Sequence, residues 1–416
     1  SFIEHGMLEV IARCHEQRGS YGIAIKFFLE RLQFLKEEED NCDDSSDNLE
    51  EVVETLNSLA MLSCRAGLYL EAIDYYDRAL GIQMKMGCDD AQLATAKVLA
   101  GSVEYHLGLY SKALDLFEDA LETLLEEVGE QETVAATLFH IHFIYAARCD
   151  YKTAMSNLQN ALKIQLKLLG PDHPATLRTR REIGNVMIEE RCGGVEKQFL
   201  DIIEWQKKIH GEYHPNIADT LHSLARSYAQ SGNLQQAHRT FQEAYNMRLP
   251  FLGAEHPHQA TTLLEIAKIQ HKRGTKKSVQ RAIRFVESAL SIRQESLPEQ
   301  HIDVALAKAI KGSCLVSSGL YSDAKKLLTD SLRIARAAVG ETHPSVAWIH
   351  LQAGIMYDRQ CHFDESKKSI ETAIQIYRSF YPMTEDGGGD DHDEHPSIKD
   401  ALYELERVER AELLCV

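Results

Sequence analysis

Apolar residues recur at helical spacing over residues 220–245, TLHSLARSYAQSGNLQQAHRTFQEAY. The first half carries one apolar face at i, i+3, i+4 and i+7, formed by Leu221, Leu224, Ala225 and Tyr228. The second half restarts the same period with Ala237, Phe241 and Ala244. Gly232 lies between the halves, where a glycine accepts the left-handed backbone that commonly ends a helix. The stretch therefore predicts a helical hairpin whose small alanines allow the two helices to approach closely.

This hairpin pattern recurs along the chain at a nearly constant interval. Its turn position is occupied, in order, by Gly67, Gly108, Cys149, Gly193 with Gly194, Gly232, Gly274, Gly319 and Cys361. The interval is 41 positions from Gly67 to Gly108 and 42 from Gly232 to Gly274. We interpret the unit around Gly193 as degenerate, because it keeps a turn but lacks the usual aromatic residue and alanine. A single hairpin cannot bury its apolar faces alone, so the repeats predict an all-α stack.

A loop that ends in His-Pro separates most successive units. Its prolines are Pro174, Pro215, Pro257, Pro344 and Pro396, and the sequence LPEQHI ending at Ile302 is a variant without the proline. Proline suits the first turn of a helix, where its missing N–H group has no partner to lose. We expect the histidine to cap the helix or to pack against the loop. Zinc ligation is the weaker alternative, because a stack would hold these histidines about one repeat apart.

Composition narrows the class of protein. The 416 residues are 44% hydrophobic and 26% charged, as in an ordinary globular protein, and no apolar run approaches the roughly 20 residues that span a bilayer. Nine cysteines, an odd number without a CxxC pair, favour reduced thiols and a cytoplasmic location. The chain begins at Ser1 rather than at methionine, which leaves open that it is a fragment of a longer protein.

Charge is distributed unevenly along a chain whose net charge is −18. Residues 1–150 contain 11 basic and 29 acidic residues, residues 151–293 contain 21 and 13, and residues 294–416 contain 13 and 21. The middle third is therefore basic, at +8, within an otherwise acidic chain. The acidic total argues against general nucleic-acid binding, which depends on neutralising phosphates.

The repeat residues resemble the tetratricopeptide repeat (TPR), which has Leu, Ala and Tyr in its first helix and Gly-x-Tyr followed by spaced alanines in its second. The period of about 42 residues and the LGxxHP loop resemble the long repeats of kinesin light chain. Residues 55–72 and 214–237 carry this resemblance most clearly, and it covers about residues 49–414. It implies a right-handed superhelical solenoid of stacked helix-turn-helix hairpins. The chain departs from that family in having no heptad-rich segment that would join a kinesin heavy chain.

The same patterns divide the chain into five parts. Residues 1–36 predict a divergent N-terminal helical hairpin, and residues 37–50 predict an exposed acidic loop. Residues 51–382 predict a solenoid of about eight repeats. Residues 383–396 predict an acidic, glycine-rich insertion, for which metal chelation by its Asp and His residues is the weaker alternative. Residues 397–416 predict a C-terminal capping helix.

Motifs of catalysis are absent from the sequence, which contains no GxSxG, no P-loop and no HExxH. We therefore predict no enzymatic activity, no metal and no cofactor. His140 and His142 are two positions apart on a predicted helix, so their side chains point in different directions. The resemblance places the candidate site elsewhere, on the concave face that the first helices of TPR stacks line.

Alignment of the units by their His-Pro loops gives the residues expected to face this groove. They are Asn57, Arg178, Arg181, Asn185, His222, Arg226, Lys268, His271 and Lys272. Asn57 corresponds to a groove asparagine of the family, whose amide can hold an extended peptide backbone. The basic members would hold an acidic or phosphorylated segment of a partner protein. The alternative is that they are solvated charges on the surface of a helical stack.

These observations predict a non-enzymatic scaffold that binds a peptide segment of another protein in the concave groove. Its most specific form is a cargo adaptor similar to kinesin light chain, with kinesin heavy chain as a further partner. The alternative is a regulatory or substrate-recruiting TPR region of a larger signalling protein or enzyme. Neither hypothesis includes nucleic-acid binding or membrane insertion.

Overall fold

The computed structural model describes residues 2–17, 20–39, 46–87, 89–381 and 395–415. Within these ranges the backbone consists of α-helices and short connections, without a strand. The nineteen helices of the described residues are, in order, α1 (Phe2–Gln17), α2 (Tyr21–Glu39), α3 (Ser46–Arg65), α4 (Tyr69–Met86), α5 (Asp90–His106), α6 (Tyr110–Glu127), α7 (Glu132–Ala147), α8 (Tyr151–Leu168), α9 (Pro174–Glu189), α10 (Glu196–His210), α11 (Pro215–Gln230), α12 (Leu234–Leu252), α13 (Pro257–Lys272), α14 (Lys276–Ser296), α15 (Ile302–Ser317), α16 (Tyr321–Val339), α17 (Pro344–Arg359), α18 (Phe363–Phe380) and α19 (Pro396–Cys415).

Successive helices pair as hairpins, which confirms the predicted all-α architecture. Between α3 and α18, the described helices form seven hairpins, by pairing of α3 with α4, α5 with α6, α7 with α8, α9 with α10, α11 with α12, α15 with α16 and α17 with α18. The chain divides into two compact units, which we call unit 1 (Ser1–Thr262) and unit 2 (Leu263–Val416). Within each unit, the apolar faces are buried between neighbouring hairpins, as in other repeat proteins whose units contact only their neighbours.

The segment 37–50 is not a loop throughout, which corrects the predicted boundary. Helix α2 continues to Glu39 and α3 starts at Ser46, while residues 40–45 lie outside the described part of the chain. Glutamate has good helix propensity, so a run of negative charge does not by itself end a helix.

The C-terminal helix α19 lies on α18 within unit 2. It starts at Pro396, one residue before the predicted boundary, because proline fits the first helical turn. Its Ile398, Ala401 and Val408 are buried in the same apolar cluster as Ile370 of α18. The predicted insertion at 383–396 falls almost entirely outside the described residues, as does its candidate chelating group.

The turns inside the hairpins adopt the left-handed backbone that the glycine positions predict. Gly232 has φ 81°, and the N–H groups of Gly232 and Asn233 close the end of α11 on the carbonyls of Ala229 and Tyr228. Cys149 occupies the same position in its repeat with φ 58°, a conformation that costs a residue with a Cβ atom more than it costs glycine. The repeat geometry therefore fixes the turn even where the preferred residue is missing.

The histidine of each His-Pro loop caps the helix that follows, which confirms the predicted structural role. In every case Nδ1 accepts a hydrogen bond of 3.0 to 3.3 Å from the backbone N–H group two positions later. The capping residues are His173, His214, His256, His301, His343 and His395. The imidazole thus satisfies one of the N–H groups that a helix N-terminus leaves without an internal partner. His301 shows that the cap does not require the proline.

Several hairpins bring their two helices together at one small residue of the first helix. A Cβ atom added to Gly101 would lie 2.8 Å from the ring of Phe117, and one added to Gly184 would lie 2.7 Å from Phe199. Ala225 has the corresponding place opposite the buried Phe241. The unit around Gly193 therefore keeps its aromatic residue, contrary to the sequence interpretation. Its turn starts at Arg191, with φ 57°, which shifts the register of the second helix.

We expect Gly184→Ala to lower the free energy of unfolding by about 1–3 kcal/mol, because the new methyl group overlaps the ring of Phe199. The matched control is Gly81→Ala in α4, where no atom lies within 4 Å of the added Cβ. This control should instead stabilise the protein by about 0.5–1 kcal/mol, the usual advantage of alanine inside a helix. Urea unfolding followed by circular dichroism measures both, and equal shifts for the two variants would contradict the close packing.

Candidate functional site

The predicted groove residues all lie on first helices of hairpins. Asn57 lies on α3, Arg178, Arg181 and Asn185 on α9, His222 and Arg226 on α11, and Lys268, His271 and Lys272 on α13. The first six belong to unit 1 and the last three to unit 2. The helix assignment agrees with the sequence prediction, and the contribution of these residues to a partner-binding surface stays a prediction.

Arg178 is the unusual member of the set. Its guanidinium lies over the ring of Phe139, with Cζ 4.4 Å from the ring centroid. Its Nε atom is buried without a hydrogen-bond partner, and within the described residues no carboxylate forms an ion pair with it. Burial, followed by the positive charges of Arg65 and Arg181, lowers the pKa of Arg178 to about 10. The half-buried side chain thus holds a positive charge without a direct ion pair, although the more distant Glu182 acts to raise its pKa.

Arg181, in contrast, is fully paired. Its Nε and Nη2 atoms donate to Oε1 of Glu182 at 3.0 and 2.7 Å, and Nη1 lies 3.5 Å from Oδ2 of Asp219. Asn185 donates to the other oxygen of Glu182 at 2.8 Å. Burial alone would raise the pKa of Glu182, but Arg181 and the hydrogen bonds outweigh burial and lower it. Glu182 is therefore an anion inside the predicted basic groove.

Asp219 joins four helices within unit 1. Its Oδ1 atom accepts hydrogen bonds from Nη2 and Nε of Arg248 at 2.7 and 3.0 Å, and Nη1 of Arg248 donates to Thr262 at 2.7 Å. Burial favours the neutral acid, yet Arg248, His258 and Arg181 together hold the pKa of Asp219 well below its usual range. The carboxylate therefore links α9, α11, α12 and the start of α13.

The remaining predicted residues of unit 1 are also engaged, with one exception. Arg226 forms an ion pair with Glu189 across neighbouring first helices. His222 lies 3.2 Å from the hydroxyl of Thr262, and burial lowers its pKa well below the ordinary value. Asn57 is partly buried, and its Oδ1 atom has no hydrogen-bond partner. An unsatisfied amide oxygen is available to a backbone N–H group of a bound peptide.

In unit 2, the three predicted residues are more exposed. Lys268 Nζ lies 2.7 Å from Oε1 of Glu265 on the same helix, and an exposed pair of this kind contributes little to stability. His271 Nε2 lies 2.7 Å from the hydroxyl of Ser317 on α15. Lys272 is exposed near the end of α13. Within unit 2, this surface therefore keeps two solvated ammonium groups.

Sequence analysis missed Asp219 and Arg248, which organise the interior of unit 1. One signal could have found Arg248. Second helices carry a buried polar residue in their last turns at near-repeat spacing, namely Gln83, Gln165, Gln206, Arg248 and Arg293. Arg293 uses the position in the same way, because its Nη1 donates to the carbonyl of Asp303 at 2.7 Å. A polar residue that recurs at the same buried position of successive second helices predicts a polar contact with the next hairpin.

The described residues were also searched for a metal-binding cluster and for a membrane-spanning helix. Among them, no group of three or more His, Cys, Asp or Glu residues is arranged to hold a metal ion. The search for a helix long and apolar enough to cross a membrane, made over the same residues, found none. His140 and His142 of α7 are both neutral packing residues, since burial lowers their pKa values to about 3 and about 4.

Comparison with known proteins gives a family match over most of the chain. A model of the tetratricopeptide repeat matches residues 51–126, 133–190, 196–249 and 303–379. Among curated relatives, Protein KINESIN LIGHT CHAIN-RELATED 2 of Arabidopsis thaliana is 25% identical over 288 residues, which cover 66% of this chain and 42% of that protein. Protein KINESIN LIGHT CHAIN-RELATED 1 of the same plant is 21% identical over 255 residues, which cover 60% and 41%. The chain thus spans about two-fifths of the length of these relatives.

A solved structure of Rap protein complexed with Competence and Sporulation Factor is similar in fold. It has a TM-score of 0.57 and 14% sequence identity, and the match covers 91% of this chain and 97% of that one. At this identity the similarity concerns the arrangement of helices alone. It agrees with the stack of hairpins described above.

We expect Asp219→Asn to lower the free energy of unfolding by about 3–5 kcal/mol, because Arg248 would be left buried beside a neutral amide. The matched control is Glu189→Gln, which removes a carboxylate from the more exposed pair with Arg226 and should cost less than about 1 kcal/mol. Chemical unfolding of the two variants measures the difference. Similar small losses would show that Asp219 does not organise the interior.

Stability should fall on acidification because unit 1 buries neutral histidines. Burial lowers the pKa of His140 to about 3 and that of His142 to about 4 from the ordinary value of 6.5, so the unfolded chain binds these protons first. Their contribution to stability is complete above pH 6.5 and is lost as the pH falls from there toward about 3. The urea midpoint at several pH values measures the slope. The slope should be shallower in His140→Leu, and an unchanged slope would contradict this assignment.

Proposed function

The chain belongs to the tetratricopeptide repeat family, and we propose that it is a non-enzymatic scaffold whose concave surface in unit 1 binds an acidic or phosphorylated peptide segment of a partner protein. Repeat stacks offer long concave surfaces, and their binding residues lie on rigid helices. The observation that carries the proposal is the unpaired guanidinium of Arg178.

The charges around Arg178 explain why an anion is the expected ligand. Arg181 and Arg248 form ion pairs with Glu182 and Asp219, whereas Arg178 forms none within the described residues. A half-buried cation without an ion-pair partner is costly, and a carboxylate or phosphate that binds it forms a hydrogen bond of the stronger, charge-assisted kind. The planar guanidinium can bind either group through two N–H donors.

The rest of the peptide would use contacts that do not depend on its sequence. The unsatisfied Oδ1 atoms of Asn57 and Asn185 are acceptors for backbone N–H groups of an extended chain. One charged anchor with several backbone contacts is the general way in which a groove binds a short linear motif. Lys268, His271 and Lys272 extend the proposed set within unit 2.

The finer version of this proposal is a cytoplasmic cargo adaptor similar to kinesin light chain. It is supported by the names of the relatives, by the 42-residue period and by the His-Pro loops. In that version, the partners are a cargo protein that carries the acidic motif and a kinesin heavy chain. The heavy chain would not use Arg178, so the two partners can be tested separately.

We expect Arg178→Met to weaken binding of an acidic peptide about tenfold or more, since a hydrogen bond to a charged group contributes about 1.5–3 kcal/mol. A fluorescein-labelled poly-glutamate peptide serves as the probe, and fluorescence anisotropy gives its affinity. Methionine keeps the apolar contact with Phe139, and no carboxylate loses its partner. The urea midpoint should therefore stay unchanged or rise, which separates lost binding from lost folding.

The matched control is Arg333→Met on α16, which removes an exposed positive charge outside the predicted groove. It should leave the affinity for the probe unchanged. Binding by the native chain should also weaken as salt rises, because ions screen the attraction. An equal loss of affinity in both variants would mean that the probe responds only to net charge, and the proposed site would be wrong.

A further inference from the structure

Unit 1 makes a contact between residues that are far apart in sequence. Nε2 of His256, in the loop before α13, lies 2.7 Å from the backbone carbonyl oxygen of Arg65, the last residue of α3, across 191 positions. Beside it, Pro257 touches Gly67, and a Cβ atom added to Gly67 would lie 2.4 Å from its Cδ atom. Leu252 packs against the apolar cluster of α1, α2 and α3. We call these five residues the clasp.

One imidazole in the clasp caps two helices. Nδ1 of His256 accepts from the N–H group of His258 at the start of α13, so Nε2 carries the proton and donates to Arg65 at the end of α3. That carbonyl is one of the last-turn acceptors that a helix cannot satisfy internally. The local cap of a His-Pro loop therefore also fixes a contact between the first hairpins and the end of α12.

The clasp turns the chain between residues 65 and 256 into a closed loop. First helices of this loop carry five of the proposed binding residues, namely Arg178, Arg181, Asn185, His222 and Arg226. Arg65 contributes to the lowered pKa of Arg178, in which burial is the largest cause. Asp219 of α11 contributes to the raised pKa of Tyr21 of α2, again after burial. Groups of α2, α3, α9 and α11 therefore lie close enough together to shift one another's pKa values.

We propose that the clasp is a gate, which has to open before an internal acidic segment of a partner protein can reach Arg178; the partner in this statement rests on the proposed function. A segment with folded protein on both sides cannot thread through a closed loop of chain. The clasp consists of one long-range hydrogen bond and a small packed contact, so it can open without unfolding the hairpins on either side. Binding would then occur only to the open fraction of molecules.

Two variants weaken the clasp while leaving the local fold intact, and each has a matched control. Gly67→Ala inserts a methyl group against Pro257, whereas Gly232→Ala introduces the same left-handed alanine, at φ 81° instead of 80°, into open space. His256→Asn keeps a residue that caps helices well but cannot reach Arg65, whereas His173→Asn makes the same exchange in the loop before α9. Only the first member of each pair should open the gate.

The first readout needs no ligand. A cysteine introduced at Asn185, in the interior, reports access through its modification by a bulky maleimide, measured by mass spectrometry of the peptide that contains it. Gly67→Ala and His256→Asn should accelerate this modification several-fold, and hydrogen exchange should rise on both sides of the clasp, in residues 60–70 and 250–260. Equal rates in the variants and their controls would overturn the gate.

The second readout uses a fluorescein-labelled poly-glutamate peptide with a folded protein attached at each end, so that it cannot thread through the closed loop. Weakening the clasp should raise both its association and its dissociation rate several-fold, because one gate controls entry and exit. If the modification is accelerated but Arg178→Met leaves the affinity for the probe unchanged, the gate is retained and the proposed function is wrong. Accelerated modification without any change in the rates of a probe that requires Arg178 would show that the ligand does not use this entrance, and the proposal would be wrong.

Discussion

The close approach of two helices at one small residue is the constraint on which the rest of the stack depends. Gly101, Gly184 and Ala225 each lie where a large side chain of the second helix is fully buried. Because this contact fixes the distance within a hairpin, it also fixes where the outer faces meet the next hairpin. Longer helices add apolar surface on both sides without changing that distance. The repeats can therefore vary in length and in turn residue, as they do at Cys149 and Arg191, while the packing continues.

The features that the sequence predicts correctly are those determined within one repeat. A glycine at a helix end, a histidine before a helix and an apolar face each depend on residues fewer than about twenty positions apart, and their pattern repeats. The weak unit around Gly193 shows the limit of this approach. Its first left-handed turn residue is Arg191 rather than Gly193. An alignment of the repeats on Gly193 therefore places the buried Phe199 opposite the wrong residues of the other repeats. A change of register hides a residue that is physically equivalent.

The candidate site was harder to predict because its properties come from pairs. The helix carrying each groove residue follows from the repeat alignment. Whether Arg181 is available to a ligand depends on Glu182 and Asp219, and Asp219 depends in turn on Arg248 of another helix. The helical periodicity of a sequence does not indicate which charged residues of different helices form ion pairs with each other. His256 gives a second example, because its local role as a cap was predictable and its bond to Arg65 was not.

Net charge and available charge are therefore different quantities in this protein. The middle third carries an excess of +8, yet its most buried basic residue, Arg248, is neutralised by a carboxylate. A patch with this much internal pairing attracts an anion weakly at a distance, because the field of each pair falls off faster than that of a single charge. Specificity would then come from Arg178, which lies on a first helix and has no ion pair among the described residues. Arg178 is held in place by the ring of Phe139, so a ligand that binds it need not first separate an existing ion pair. That difference makes Arg178 a better candidate anchor than the more exposed arginines and lysines that contribute most of the excess charge.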